Sequence, residues 1–162
     1  SSDLEVEAEL GKIGATDKIE TDNDESLYTD PAEAEEFVAR TGVDTLAVSI
    51  GTAHGVYPVK NPKIDLERLA QIRKRVSIPL VLHGGSGLPP ETVQAAITIP
   101  GGGVSKINIA TDLEQAFLGS LGCQRKTNRE IWQMDEKALA EAAEAVQRVV
   151  EDKITNFLLW KG

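Results

Sequence analysis

The only two histidines in the chain, His54 and His83, each close an apolar run and each stand before a glycine. His54 lies in Ser49-Ile50-Gly51-Thr52-Ala53-His54-Gly55, and His83 in Leu80-Val81-Leu82-His83-Gly84-Gly85-Ser86-Gly87. An imidazole can exchange a proton near neutral pH, or ligate a metal through a neutral ring nitrogen. A lone histidine is most often a satisfied structural residue. Two at equivalent points of neighbouring units are better placed to share one zinc ion. Catalytic zinc takes three protein ligands and keeps a fourth position open. The third ligand must then be a carboxylate or lie elsewhere.

The glycines around His83 suggest an anion. Gly84-Gly85-Ser86-Gly87 precedes an expected helix, so its backbone N–H groups can form a nest for a phosphate. Asn108-Ile109-Ala110-Thr111-Asp112 has the same placement after a later strand. Ordinary tight turns are the simpler reading of either stretch alone. Near the N-terminus, Leu4-Glu5-Val6-Glu7-Ala8-Glu9-Leu10 alternates strictly, so Glu5, Glu7 and Glu9 share one strand face. A solvated face is the plain reading. Inside a barrel those carboxylates would need partners or a metal.

The elements that must position these residues repeat a simple rhythm. A strand over residues 4–10 is followed by a polar, acidic loop over 15–30. Thr29-Asp30-Pro31 starts a helix to about Thr41, and Gly42 occupies the usual stop position. A strand over 45–50, a helix over 65–76, a strand over 78–82 and a short helix over 90–97 follow. A strand over 104–109 and a helix beginning at Asp112 complete the series. Strand–helix alternation of this kind predicts a parallel sheet with helical crossovers. Its C-terminal strand ends would carry the chemistry, which is where both histidines fall. Residues 1–118 thus read as four βα units and 119–135 as an irregular connector. Residues 136–162 hold one long amphipathic helix, running to Leu159. Its stripe of Leu139, Ala143, Val146, Val150, Ile154, Phe157 and Leu158 serves either internal packing or an oligomer contact.

Composition limits the partners. The 162 residues include 17 basic and 26 acidic side chains, a net charge of −9. A field of that sign repels nucleic acid and anionic membranes. No apolar run is long enough to span a bilayer. The first residues lack the pattern of a signal peptide. A single cysteine, Cys123, cannot form an internal disulfide, and a cytoplasmic location is the default expectation.

Four stretches in order resemble one known family: Val6-Glu7-Ala8-Glu9-Leu10-Gly11, Ser49 to Gly55, Val81 to Gly87 and Lys106 to Thr111. Together they resemble the class II, zinc-dependent ketose-bisphosphate aldolases, a family of (β/α)8 barrels. The resemblance implies that His54 and His83 are two of three zinc-ligand histidines. It implies that Glu9 can hold the metal in an alternative position. Gly55, Gly84, Gly85, Ser86, Asn108, Ile109, Ala110 and Thr111 would hold the dihydroxyacetone phosphate part of the substrate. The family's remaining zinc histidine belongs to an Asp-His pair whose aspartate is the acid/base residue, and no such pair occurs in this sequence. In the loop after the first strand, Gly14-Ala15-Thr16-Asp17-Lys18 replaces the family's Gly-Gly-acidic pattern, leaving Asp17 as a weak match to the acidic position. A complete barrel takes about 250 residues. The expectation is therefore the C-terminal half of a barrel, active with its missing half or a second copy, as part of a homo-oligomer acting on a small phosphosugar.

Overall fold

A computed structural model describes residues 4–15, 27–55, 57, 62–158 and 160. They fall into two compact units, Ser1–Ile109 and Ala110–Gly162. The first is built from β1 (Glu7–Leu10), β2 (Gly14–Ala15), α1 (Pro31–Thr41), β3 (Thr45–Val48), β4 (Ala53–His54), α2 (Leu66–Arg75), β5 (Leu80–Leu82), α3 (Pro90–Thr98) and β6 (Val104–Ile107).

Local chemistry sets these boundaries. The Asp30 carboxylate accepts from the amides of Ala32 and Glu33, at 2.8 and 3.0 Å, and so starts α1. Gly42, at φ 67°, ends it by donating its N–H to Val38 O. Asp65 caps α2 by accepting from the Arg68 amide at 2.9 Å. At the other end of α2, the Arg73 guanidinium donates to Val76 O and Ile78 O, both at 2.8 Å. Those two bonds hold the turn that leads into β5.

Strands β1, β3, β5 and β6 form one parallel sheet in that order, and β2 pairs with β4 in a second, two-residue ladder. Spatial order follows chain order without reversal. With right-handed crossovers, such winding puts every helix on one face of the sheet. A doubly wound sheet would reverse direction at a switch point. The α/β expectation therefore holds, in the form of consecutive units as in a half barrel. Leu46, Val48, Leu80 and Leu82 of the central strands form the core with Ala34, Leu69, Ile72, Val93 and Ala96 of the helices; all are buried.

The opposite face carries the charged residues. Register aligns Glu9, Ala47 and Val81 in one row. Across β5 and β6, Leu80 faces Val104 while Val81 faces Lys106, so Ser105 is an extra, bulged residue. A bulge re-aims the side chains that follow it. Here it brings Lys106, rather than Ser105, into the row of Glu9 and Val81.

The second unit holds α4 (Thr111–Ser120), α5 (Asn128–Trp132), α6 (Glu136–Asp152) and a π-helical turn (Lys153–Phe157). Two details differ from the sequence expectation. The 119–135 segment contains α5, fixed by a reciprocal capping box between Thr127 and Glu130. The terminal helix changes to π geometry at Lys153. There the Lys153 ammonium pairs with Asp112 Oδ2 at 2.6 Å and lies 3.8 Å from the Phe157 ring centroid. Ala142, Ala145 and Phe157 are the buried positions along this segment, whereas Val150, Ile154 and Leu158 of the expected stripe are exposed. Among the described residues, no helix is long and apolar enough to cross a membrane.

Candidate active site

Two loops at the C-terminal ends of neighbouring strands β3 and β5 bring the histidines together. The His54 and His83 ring centroids are 6.0 Å apart and the rings are tilted by 35°. Close backbone approach makes this possible. Gly84 sits at φ +69°, and a Cβ there would fall 2.5 Å from Ala53 O. A side chain at Gly84 would force the His54 loop away. The Tyr57 hydroxyl bridges the same two loops. It accepts from the Ala53 N–H at 2.7 Å and donates to Gly84 O at 2.9 Å. Burial pushes the Tyr57 phenol above its ordinary pKa, so the group remains a neutral donor at physiological pH.

Gly85 ties the His83 loop to the end of β6. Its N–H donates to Asn108 O at 3.0 Å, and the Asn108 N–H donates to Leu82 O at 2.9 Å. A Cβ on Gly85 would meet Ile107 Cγ2 at 2.5 Å and Asn108 O at 3.0 Å. The Gly85 amide is thus committed within the protein, and its contribution is close packing. Gly55 and Gly87 also take positive φ, and Ser86 is buried. The loop reaches α3 through Leu88 and Pro89, with Pro90 in the first turn. Pro90 has no N–H to offer an anion.

The carboxylates of β1 do more than face solvent. Glu9 Oε2 lies 2.6 Å from His83 Nδ1, and Glu7 Oε1 lies 3.2 Å from His83 Nε2. The Lys106 ammonium donates to both oxygens of Glu7, at 3.0 and 2.8 Å. Those bonds are the main cause that holds the Glu7 carboxyl below its ordinary pKa, with the His83 hydrogen bond adding to them. His83 is the most enclosed member, its side chain only 16% exposed.

His54, His83 and Glu9 therefore share one region, but Glu9 bonds His83 directly. Among the described residues, no three His, Cys, Asp or Glu side chains are arranged around a common metal position. The donors nonetheless suit zinc in kind. Two imidazoles on one tetrahedral zinc place their ring centres about 5–6 Å apart, close to the separation seen here. Asn108 is exposed and Ile109 half-buried at the end of the first unit, while Ala110 and Thr111 open the second at the start of α4. Asp17 lies outside the described residues. Tyr57 stood outside the stretches that carried the resemblance, and Glu7 and Lys106 lay within them without a role assigned. The alternation of β1 placed Glu7 beside Glu9, but nothing local pointed either at His83.

The parallel βα sheet with its two converging His-Gly loops has clear relatives. The sequence profile described as fructose-bisphosphate aldolase class-II matches residues 1–159. The chain belongs to that family. Among solved structures it is similar to the YdjI aldolase from Escherichia coli K12, with 38% identity and a TM-score of 0.71, covering 95% of this chain and 49% of that one. It is also similar to a Coccidioides immitis chain provisionally described as a fructose-1,6-bisphosphate aldolase. Identity there is 28% and the TM-score 0.67, over 94% of this chain and 53% of the other. Fructose-bisphosphate aldolase from Campylobacter jejuni shares the fold at 24% identity, with a TM-score of 0.66 over 95% of this chain and 51% of the other. The chain spans about half the length of these proteins.

Proposed function

We propose that this chain carries the metal- and phosphate-binding side of a class II aldolase. The reaction is reversible cleavage of a ketose 1,6-bisphosphate to dihydroxyacetone phosphate and glyceraldehyde 3-phosphate. The observation that supports it most is the convergence of His54 and His83 at 6.0 Å on adjacent strand ends. In this reading both imidazoles hold zinc, and Glu9, already at His83, is the nearest carboxylate to relieve or replace one of them. When bound, zinc supplies Lewis-acid stabilisation of the negative charge developing on the ketone oxygen.

The chain's own residues bind and orient. Gly55, Gly84 and Ser86 line the substrate phosphate with backbone donors, and Gly85 sets the loop's shape. Asn108 and Ile109 contribute from the following strand end. Fixing the phosphate converts its binding energy into alignment of the reacting carbons. Glu7 and Glu9 each meet one ring nitrogen of His83; one of them orients the ring, as a carboxylate commonly does for a metal-binding imidazole, and the other gives up its nitrogen when zinc binds. An acid/base group must also move the proton of the hydroxyl beside the cleaved bond. That group comes with further βα units, from a longer protein or a second chain, and the same units cover the outer edges of β1 and β6. A cytoplasmic homo-oligomer is the expected setting.

The test is cleavage of fructose and tagatose 1,6-bisphosphate with zinc, by the chain alone and with the four N-terminal βα units of a relative. Activity that appears only with the complement supports the proposal. No activity in a complex that has demonstrably assembled contradicts it. Zinc and dihydroxyacetone phosphate binding without turnover in that complex would favour a non-catalytic phosphosugar-binding half barrel.

A further inference from the structure

The structure assigns Tyr57 a positioning role: its hydroxyl fixes the distance between the two histidine loops. The consequence for metal binding rests on the aldolase reading; the structural part does not. Ala53 precedes His54 and Gly84 follows His83. One oxygen accepts from the first at 2.7 Å and donates to the second at 2.9 Å. The phenol therefore sits one residue from each imidazole, on the backbone that carries it. Each loop is otherwise anchored on different neighbours. The His54 loop pairs with β2 through Ala53 and His54. The His83 loop is stitched to β6 through Gly85 and Asn108. The hydroxyl is a direct hydrogen-bonded tie between the two, at a place where Gly84 leaves no room for a side chain.

A phenol is suited to this task. A hydroxyl donates and accepts at once, so it satisfies an N–H and a C=O that belong to different loops. Its rigid ring has few rotamers to lose. Burial keeps it protonated, so the tie does not switch off near neutral pH. Tyr57→Phe keeps the ring and deletes only the bridge, leaving the Ala53 N–H and the Gly84 carbonyl unpaired.

The experiment compares the full chain with its Tyr57→Phe variant by backbone amide NMR, zinc titration and thermal melting. In the unsubstituted chain the Ala53 amide is expected to be protected from hydrogen exchange. In the variant it should exchange about tenfold faster. Amide signals of residues 52–55 and of 84–86 should shift together, while those of α2 and α3 stay. Zinc affinity should fall about tenfold, with a melting midpoint within a few degrees of the parent. A structural role alone would lower the melting point without moving zinc affinity. Unmoved signals at Gly84–Ser86, rapid exchange of Ala53 in the parent, or equal zinc affinity in the two proteins would overturn the inference. If the parent takes up no zinc, the proposal that His54 and His83 hold the metal in this chain by themselves fails. The amide signals then decide the Tyr57 tie by themselves: joint shifts support it and unmoved signals overturn it.

Discussion

Glu7 and Lys106 stand on the two outer strands of the sheet, β1 and β6, yet their side chains meet at 2.8 Å. Three strand spacings come to about 14 Å in a flat sheet. Two extended side chains span that only if both lie along the surface. In a curled sheet, side chains on the concave face converge and the distance shortens. The pair therefore reports curvature, with Glu7, Glu9, His83 and Lys106 on the inner side, as in the wall of a barrel.

Lys106→Met tests this pair. Its loss should cost the chain about 0.2–1 kcal/mol at pH 7, since Lys106 is half exposed and Glu7 partly so. The sign with pH follows from the lowered Glu7 pKa. A carboxyl depressed in the folded state contributes stability above its unfolded pKa, about 4.3. That contribution is lost as pH falls through the folded value. Denaturant melts of parent and variant should differ at neutral pH and converge at acid pH. A gap that widens as pH falls would contradict the assignment.

Gly84 and Gly42 share nearly the same backbone angle, φ +69° and φ +67°, but not the same surroundings. Gly42 has nothing within 4 Å of where a Cβ would sit, whereas Gly84 faces the Ala53 carbonyl at 2.5 Å. Gly42→Ala should cost about 1–2 kcal/mol from the left-handed conformation alone. Gly84→Ala adds a backbone clash and should cost about 1–3 kcal/mol more. Equal melting points for the two variants would show that the loops can separate freely.

Thr52 lies between the β3 end and His54, and its hydroxyl is buried without a hydrogen-bond partner among the described residues. An unsatisfied buried hydroxyl costs about 1–3 kcal/mol. Thr52→Val has nearly the same shape and should leave the chain as stable or raise its melting point by a few degrees. A loss above about 1 kcal/mol would reveal a partner for that oxygen.

The βα rhythm was legible because apolar runs, caps and terminal glycines are local signals. Asp30 and Gly42 act where their types suggest. The histidine loops were legible as His-Gly at strand ends. The role of the β1 carboxylates was not, because alternation tells which residues share a face and curvature tells what that face meets. Nor was the use of Lys106, whose facing depends on the single bulged residue Ser105. Tyr57 was invisible for a similar reason: it bonds Ala53 and Gly84, and only the fold makes those two neighbours. The change to π geometry at Lys153 coincides with its pairing to Asp112, some forty positions earlier, which no helical periodicity contains.

His54 and His83 are proposed to hold one metal between them. Zinc titration of the chain by calorimetry, beside His54→Ala and His83→Gln, decides between the outcomes. One zinc per chain is expected in the parent, with an affinity lower by about 100-fold or more in each variant and folding of the variants confirmed by melting. Zinc bound equally well after either substitution, or not bound by the parent, would contradict it.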